Sequence, residues 1–175
     1  MKKLTLLFTF MVTVFACATV CAQVTNDQMV AEWQRAKNYT KAYLDAMPDD
    51  GYSFKPTPEM RSFAGQMLHL ADANYGFISG VSGKPSPLGK TSAEKTIEQT
   101  KAATTKAVMD SYDFVISTIQ GMTPAQLQET MKIAGKDLSK ATVLGKAFEH
   151  QTHHRGQATV YLRLKGVTPP QEMLF

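Results

Sequence analysis

Apolar residues recur along most of this chain at intervals of three and four, the period of an amphipathic helix. Trp33, Ala36, Tyr39 or Thr40, Tyr43 and Met47 mark a first helix from about Asn26 to Met47. Thr25 with Gln28 three residues later forms a capping-box start for it. Pro48-Asp49-Asp50-Gly51 reads as a turn. Phe63, Met67, Leu70, Tyr75 and Ile78 carry a second helix, expected from about Pro58 to Ser79. Thr57 would cap it, Pro58 suits its first position, and Gly80 and Gly83 end it. Residues 82–90, rich in glycine, proline and serine, form a loop.

A third stripe, Ile97, Val108, Tyr112, Val115 and Ile119, predicts a helix from about Ser92 to Gln120. Thr91 and Glu94 supply its capping box and Gly121 its end. Thr123-Pro124-Ala125-Gln126 opens a short helical turn, and Met131 to Asp137 suggests a small extended excursion around Gly135. The fourth helix runs from about Lys140 to Lys165, stopped by Gly166 and then Pro169-Pro170. No internal repeat and no strand–helix–strand alternation interrupts this pattern. The expected fold class is therefore all-α, an antiparallel four-helix bundle.

The first residues follow another rule. Lys2 and Lys3 precede an apolar run, Leu4 to Ala16, and small residues end at Val20-Cys21-Ala22. This is the order of a secretory signal, and the run is shorter than the ~20 residues of a membrane span. Residues 1–22 are expected to leave as a signal peptide, and residues 23–175 to form the bundle domain. The protein would be exported, to the periplasm or beyond, with no stable membrane span after cleavage. Both cysteines, Cys17 and Cys21, would leave with the leader. The mature chain then has no disulfide, no cysteine nucleophile and no thiolate ligand. The formal charge of +4 includes two leader lysines, and no basic cluster exists. A nucleic-acid partner has no support.

The candidate chemistry lies in the histidines, of which the chain has four. His150 and His154 stand one helical turn apart and can grip one ion. Val143, Ala147, Gln157 and Tyr161 mark their face as the inward one. His153 falls at the flank of that face. His69 sits among leucines in Met67-Leu68-His69-Leu70, on another inward face. A buried imidazole needs partners at both ring nitrogens, and a metal shared with two others would supply one. The expected metal ligands are His69, His150 and His154, without His153. Three neutral imidazoles suit a divalent transition metal, zinc or nickel foremost, and leave a coordination position open. Asp72 is the nearest candidate for a fourth ligand, or for the acceptor of a ring N–H. Glu149 precedes His150 rather than following it, so this is not the HExxH protease motif.

Phe54-Lys55-Pro56-Thr57-Pro58-Glu59-Met60-Arg61-Ser62-Phe63 followed by His69-Leu70-Ala71-Asp72-Ala73-Asn74-Tyr75 resembles the DinB superfamily. So does His150-Gln151-Thr152-His153-His154-Arg155-Gly156-Gln157 with the Tyr161 to Pro170 segment behind it. The resemblance implies an up-down-down-up bundle of the DinB/YfiT-like type, a metal on three histidines and a homodimer. Carried over residue by residue, the ligands fall on His69, His150 and His154. Characterised members of that superfamily include thiol-dependent transferases and isomerases. Export weakens that chemistry here, because low-molecular-weight thiols are mainly cytosolic.

The expected function is therefore that of a metal-dependent hydrolase or transferase acting on a small molecule. The alternative is a non-catalytic metal-binding or stress-related accessory protein with a structural metal. Arg155 is expected to pair with an acidic neighbour on another helix, or else to hold a substrate carboxylate. Gln157 is expected to satisfy buried backbone, or else to orient a bound water.

Overall fold

The computed structural model describes residues 24–175. The leader expected at 1–22, with both cysteines, lies outside them. The chain forms α1 (Asn26–Ala46), a 3-10 turn (Asp49–Gly51), α2 (Phe63–Ser82), α3 (Ala93–Thr96), α4 (Lys101–Gln120), α5 (Pro124–Gln128), a hairpin of β1 (Thr130–Ile133) and β2 (Lys136–Ser139), and α6 (Lys140–Leu164). Among the described residues, no helix is long and apolar enough to cross a membrane.

The four long helices form a bundle whose directions can be read from cross-helix contacts. Asn26 at the start of α1 bonds Ile119 O at the end of α4, and Lys101 at the start of α4 bonds Met47 O beyond α1. These two helices are therefore antiparallel. Gln66 meets His154 and Phe77 meets His150, so α2 and α6 are antiparallel as well. Trp33 packs on Phe148 and Tyr43 bonds Thr159, so α1 and α6 run parallel. The order is up-down-down-up. Each expected stripe is buried except Ile97, which lies between helices and is half-buried.

The boundaries differ from expectation where distant groups compete with local signals. The capping box of Thr25 and Gln28 forms as expected, because both partners are local. The second helix begins five residues late, at Phe63. Ser62 caps Gly65 N, while the carbonyls of Phe54 and Tyr52 take the N–H groups of Phe63 and Ala64. The link before α2 thus folds back and supplies the first turn's acceptors. The third helix is split. Thr91 turns its hydroxyl to Leu88 O, and Thr100 caps Ala103 N to begin α4. The extended excursion is a tight hairpin, with Ile133 paired to Lys136 across Ala134 and Gly135. Both turn residues have positive φ, 48° and 77°, the geometry that favours glycine in a two-residue hairpin turn.

Candidate metal centre

α6 brings His150 and His154 together, and α2 adds His69 from across the seam. The Nε2 atoms of His150 and His154 are 3.1 Å apart. The His69 ring centroid lies 5.5 Å from that of His150 and 4.7 Å from that of His154. One ring nitrogen from each residue lies within 4.8 Å of the others. Among the described residues, this is the group of potential metal-ligating side chains that converges in this way. His153 is exposed and bonds Gln157 at 2.8 Å, outside the triad.

Each ligand candidate has a different support. His69 Nδ1 lies 3.4 Å from Arg61 Nη2 and 3.5 Å from Glu94 Oε2, which leaves Nε2 for the triad. Arg61 holds the other oxygen of that carboxylate with its Nε at 2.9 Å. His154 Nδ1 lies 2.7 Å from the amide of Gln66, whose amide in turn contacts Gln157. His150 has the Phe77 ring beside it, and its buried Nδ1 has no hydrogen-bond partner. Burial, then the neighbouring His150, His69 and His153, and last Arg61, push the His154 pKa down to about 3. Burial foremost, then His69 and His153, lowers that of His150. Both rings are thus neutral near pH 7, the state a metal ligand requires.

The donor set fits a transition ion. Tetrahedral zinc with Zn–N near 2.0–2.1 Å needs donor nitrogens about 3.3 Å apart. The His150–His154 pair is within tenths of that value, and no carboxylate belongs to the group as a calcium or magnesium site would demand. As the amides stand, Gln66 donates to His154 Nδ1, so His154 carries its hydrogen on Nε2 and shares it with His150 Nε2. That arrangement satisfies the pair without an ion and leaves His150 Nδ1 orphaned. A half-turn of the Gln66 and Gln157 amides reverses the chain of donors. His153 then donates to Gln157, and His154 Nδ1–H to Gln66, which frees His154 Nε2 for a metal.

Asp72 does neither of the things expected of it. Its carboxylate accepts from Ala93 N at 2.5 Å and Glu94 N at 3.1 Å, capping α3. Nor does Arg155 find an acidic partner among the described residues. It bonds Gln151 Oε1 at 3.0 Å and lies over the Tyr39 ring at 4.4 Å. Gln157 meets side chains rather than backbone. The residues around the triad to which spacing assigned no part in the site are Gln66, Phe77 and Glu94. Gln66 had a signal, since it precedes His69 by three and shares its face. Glu94 had none, because a loop separates it from α2. None of these contacts comes from residues 82–90.

A model of the DinB family matches residues 22–173. The chain is 23% identical over 147 residues to YjoA of Bacillus subtilis (strain 168), described as uncharacterised, covering 82% of this chain and 92% of that one. It is 25% identical over 151 residues to YrdA of the same organism, also described as uncharacterised, covering 83% and 86%. The crystal structure of a DinB-like protein from Bacillus cereus ATCC 10987 matches with a TM-score of 0.75 at 21% identity, covering 85% of this chain and 98% of that one. That likeness shows the fold. With the family model spanning all four long helices, the chain belongs to the DinB family.

Proposed function

We propose that this protein binds one divalent transition metal, zinc or nickel, through His69, His150 and His154. On this reading it is an exported metal-dependent hydrolase or transferase acting on a small molecule. The observation that carries it is the convergence of three imidazoles from two helices, a group that no fourth His, Cys, Asp or Glu joins among the described residues. An ion held this way keeps an exchangeable position, where it lowers the pKa of a bound water or polarises a substrate. The chain's own residues prepare the place. Glu94 and Gln66 fix two of the rings, and Phe77 shields the third. His69, with 30% of its side chain exposed, stands on the solvent side, and Arg61, 41% exposed, forms the rim beside it. A small molecule would enter there. Export rests on the leader pattern, and a homodimer on the family resemblance.

The 7% exposure of His154 favours a second reading, a closed metal that secures α2 to α6 without turnover. Cobalt substitution separates the two. The catalytic reading expects the visible spectrum to shift with pH and with added azide. A spectrum insensitive to both would leave the structural metal, and a protein that takes up no cobalt would overturn both readings. Intact-mass measurement on protein made with its native leader tests export: the expected mature start is Gln23, and retention of Met1 to Ala22 would refute it.

A further inference from the structure

We infer that Asp72 is a positioning residue for the metal, acting through Glu94 on His69. This rests on the metal-binding reading above. Asp72 and His69 are three residues apart on α2, yet Asp72 is not part of the group that could hold the ion. Its two oxygens take the first two backbone N–H groups of α3, at 2.5 and 3.1 Å. The second of those belongs to Glu94. The same contact that starts the short helix therefore sets where the Glu94 side chain leaves the backbone. From there Glu94 reaches back to α2, within 3.5 Å of His69 Nδ1, while Arg61 anchors its other oxygen at 2.9 Å and sets Nη2 3.4 Å from the same ring nitrogen, where a guanidinium can only donate.

The circuit starts and ends on one helix. α2 supplies both the imidazole and the carboxylate that recruits the imidazole's acceptor. A four-residue helix has no stability of its own, so its position depends on what holds its ends. Ser92, at its N-cap position, makes no side-chain capping bond, and Asp72 stands in for it. A ring that must present Nε2 to a metal needs its Nδ1–H accepted, and a carboxylate there raises its basicity and fixes its orientation. Glu94 is the acceptor within reach of His69. Without Asp72 it would lose that place.

Zinc affinity, measured by competition with a chromophoric chelator on metal-stripped protein, tests this. Asp72→Ala and Glu94→Ala should each weaken zinc binding roughly 10- to 100-fold, the range for loss of such a partner. The double variant should be no weaker than the worse single variant, because both act along one path. Asp72→Asn keeps one amide-accepting oxygen and should recover part of the loss. The metal-free unfolding midpoint of Asp72→Asn should stay near that of the parent, which a merely structural role would not combine with weaker zinc. If Asp72→Ala fails to fold, Asp72→Asn in the Glu94→Ala background carries the test, with no further loss expected. Unchanged affinity in Asp72→Ala, or losses that add in the double variant, would overturn the inference while leaving the metal site standing. A parent protein that binds no zinc would remove both.

Discussion

His154 and Arg155 are neighbours on α6, equally buried at 7% and 5% exposure, and they face different seams of the bundle. Arg155 looks toward α1. Its guanidinium rests on the Tyr39 ring and bonds Gln151, which also accepts from Tyr112, which meets Thr40. Every member of that chain finds a partner within it. Beside it, lined by Met29, Trp33, Leu144 and Phe148, lies an apolar cleft of about 470 Å³ with no histidine in its wall. His154 looks toward α2, into a cluster of nitrogen bases that repel one another's protons and leave His150 Nδ1 without a partner. Burial of a polar side chain is common to both seams, and the apolar cleft lies at the first. What marks the second is donors that converge on one point and satisfy each other incompletely.

The sharpest way to break this contrast is to remove the rings. His69→Ala, His150→Ala or His154→Ala should lower bound metal, read by elemental analysis, to near background. His153→Ala and Arg155→Lys should retain it. Full metal content in His69→Ala would sink the assignment of the second seam. Arg155→Ala probes the other side: it should destabilise the fold by about 2–4 kcal/mol in denaturant unfolding, through lost packing and unpaired neighbours, with metal content unchanged. Zinc at 100 times its dissociation constant should add ~2.7 kcal/mol to the parent's stability and nothing to His69→Ala.

The last effect is in pH. Unfolded imidazoles protonate near 6.5, whereas His154 in the fold holds out to about 3. Between those values the unfolded chain binds more protons, so metal-free stability should fall as pH drops below about 6.5. His154→Gln should flatten that slope in acid unfolding curves.

The sequence carried the parts of this picture that depend on near neighbours. The cap at Thr25, the pairing of His150 with His154 and the buried stripes follow from spacing within one helix. The third histidine of the cluster was legible because a histidine among leucines on an inward face needs a partner. What spacing missed was set by groups far along the chain. The third helix breaks between Ile97 and Thr100, where Ser62, more than thirty residues earlier, bonds Gln99 and Thr100 caps a new start. The second helix starts late because Tyr52 and Phe54 fold back onto it. Arg155 was expected to seek a carboxylate, and the Tyr39 ring that receives it lies more than a hundred residues away. Pattern reading names the face that a residue occupies and is silent on which distant group will meet it.

The antiparallel seam of α2 and α6 has one more consequence. His69 and His150 are about 80 residues apart in sequence, and between them lie α3, α4, α5 and the hairpin. An ion gripped by both would close a loop around half the chain. By the loop-closure relation used for disulfides, tying off a span of that length removes unfolded-chain entropy worth about 4–5 kcal/mol at room temperature. Residues 24–175 contain no cysteine. Such a clasp would fasten the bundle without a disulfide, unaffected by reductants and released by chelators.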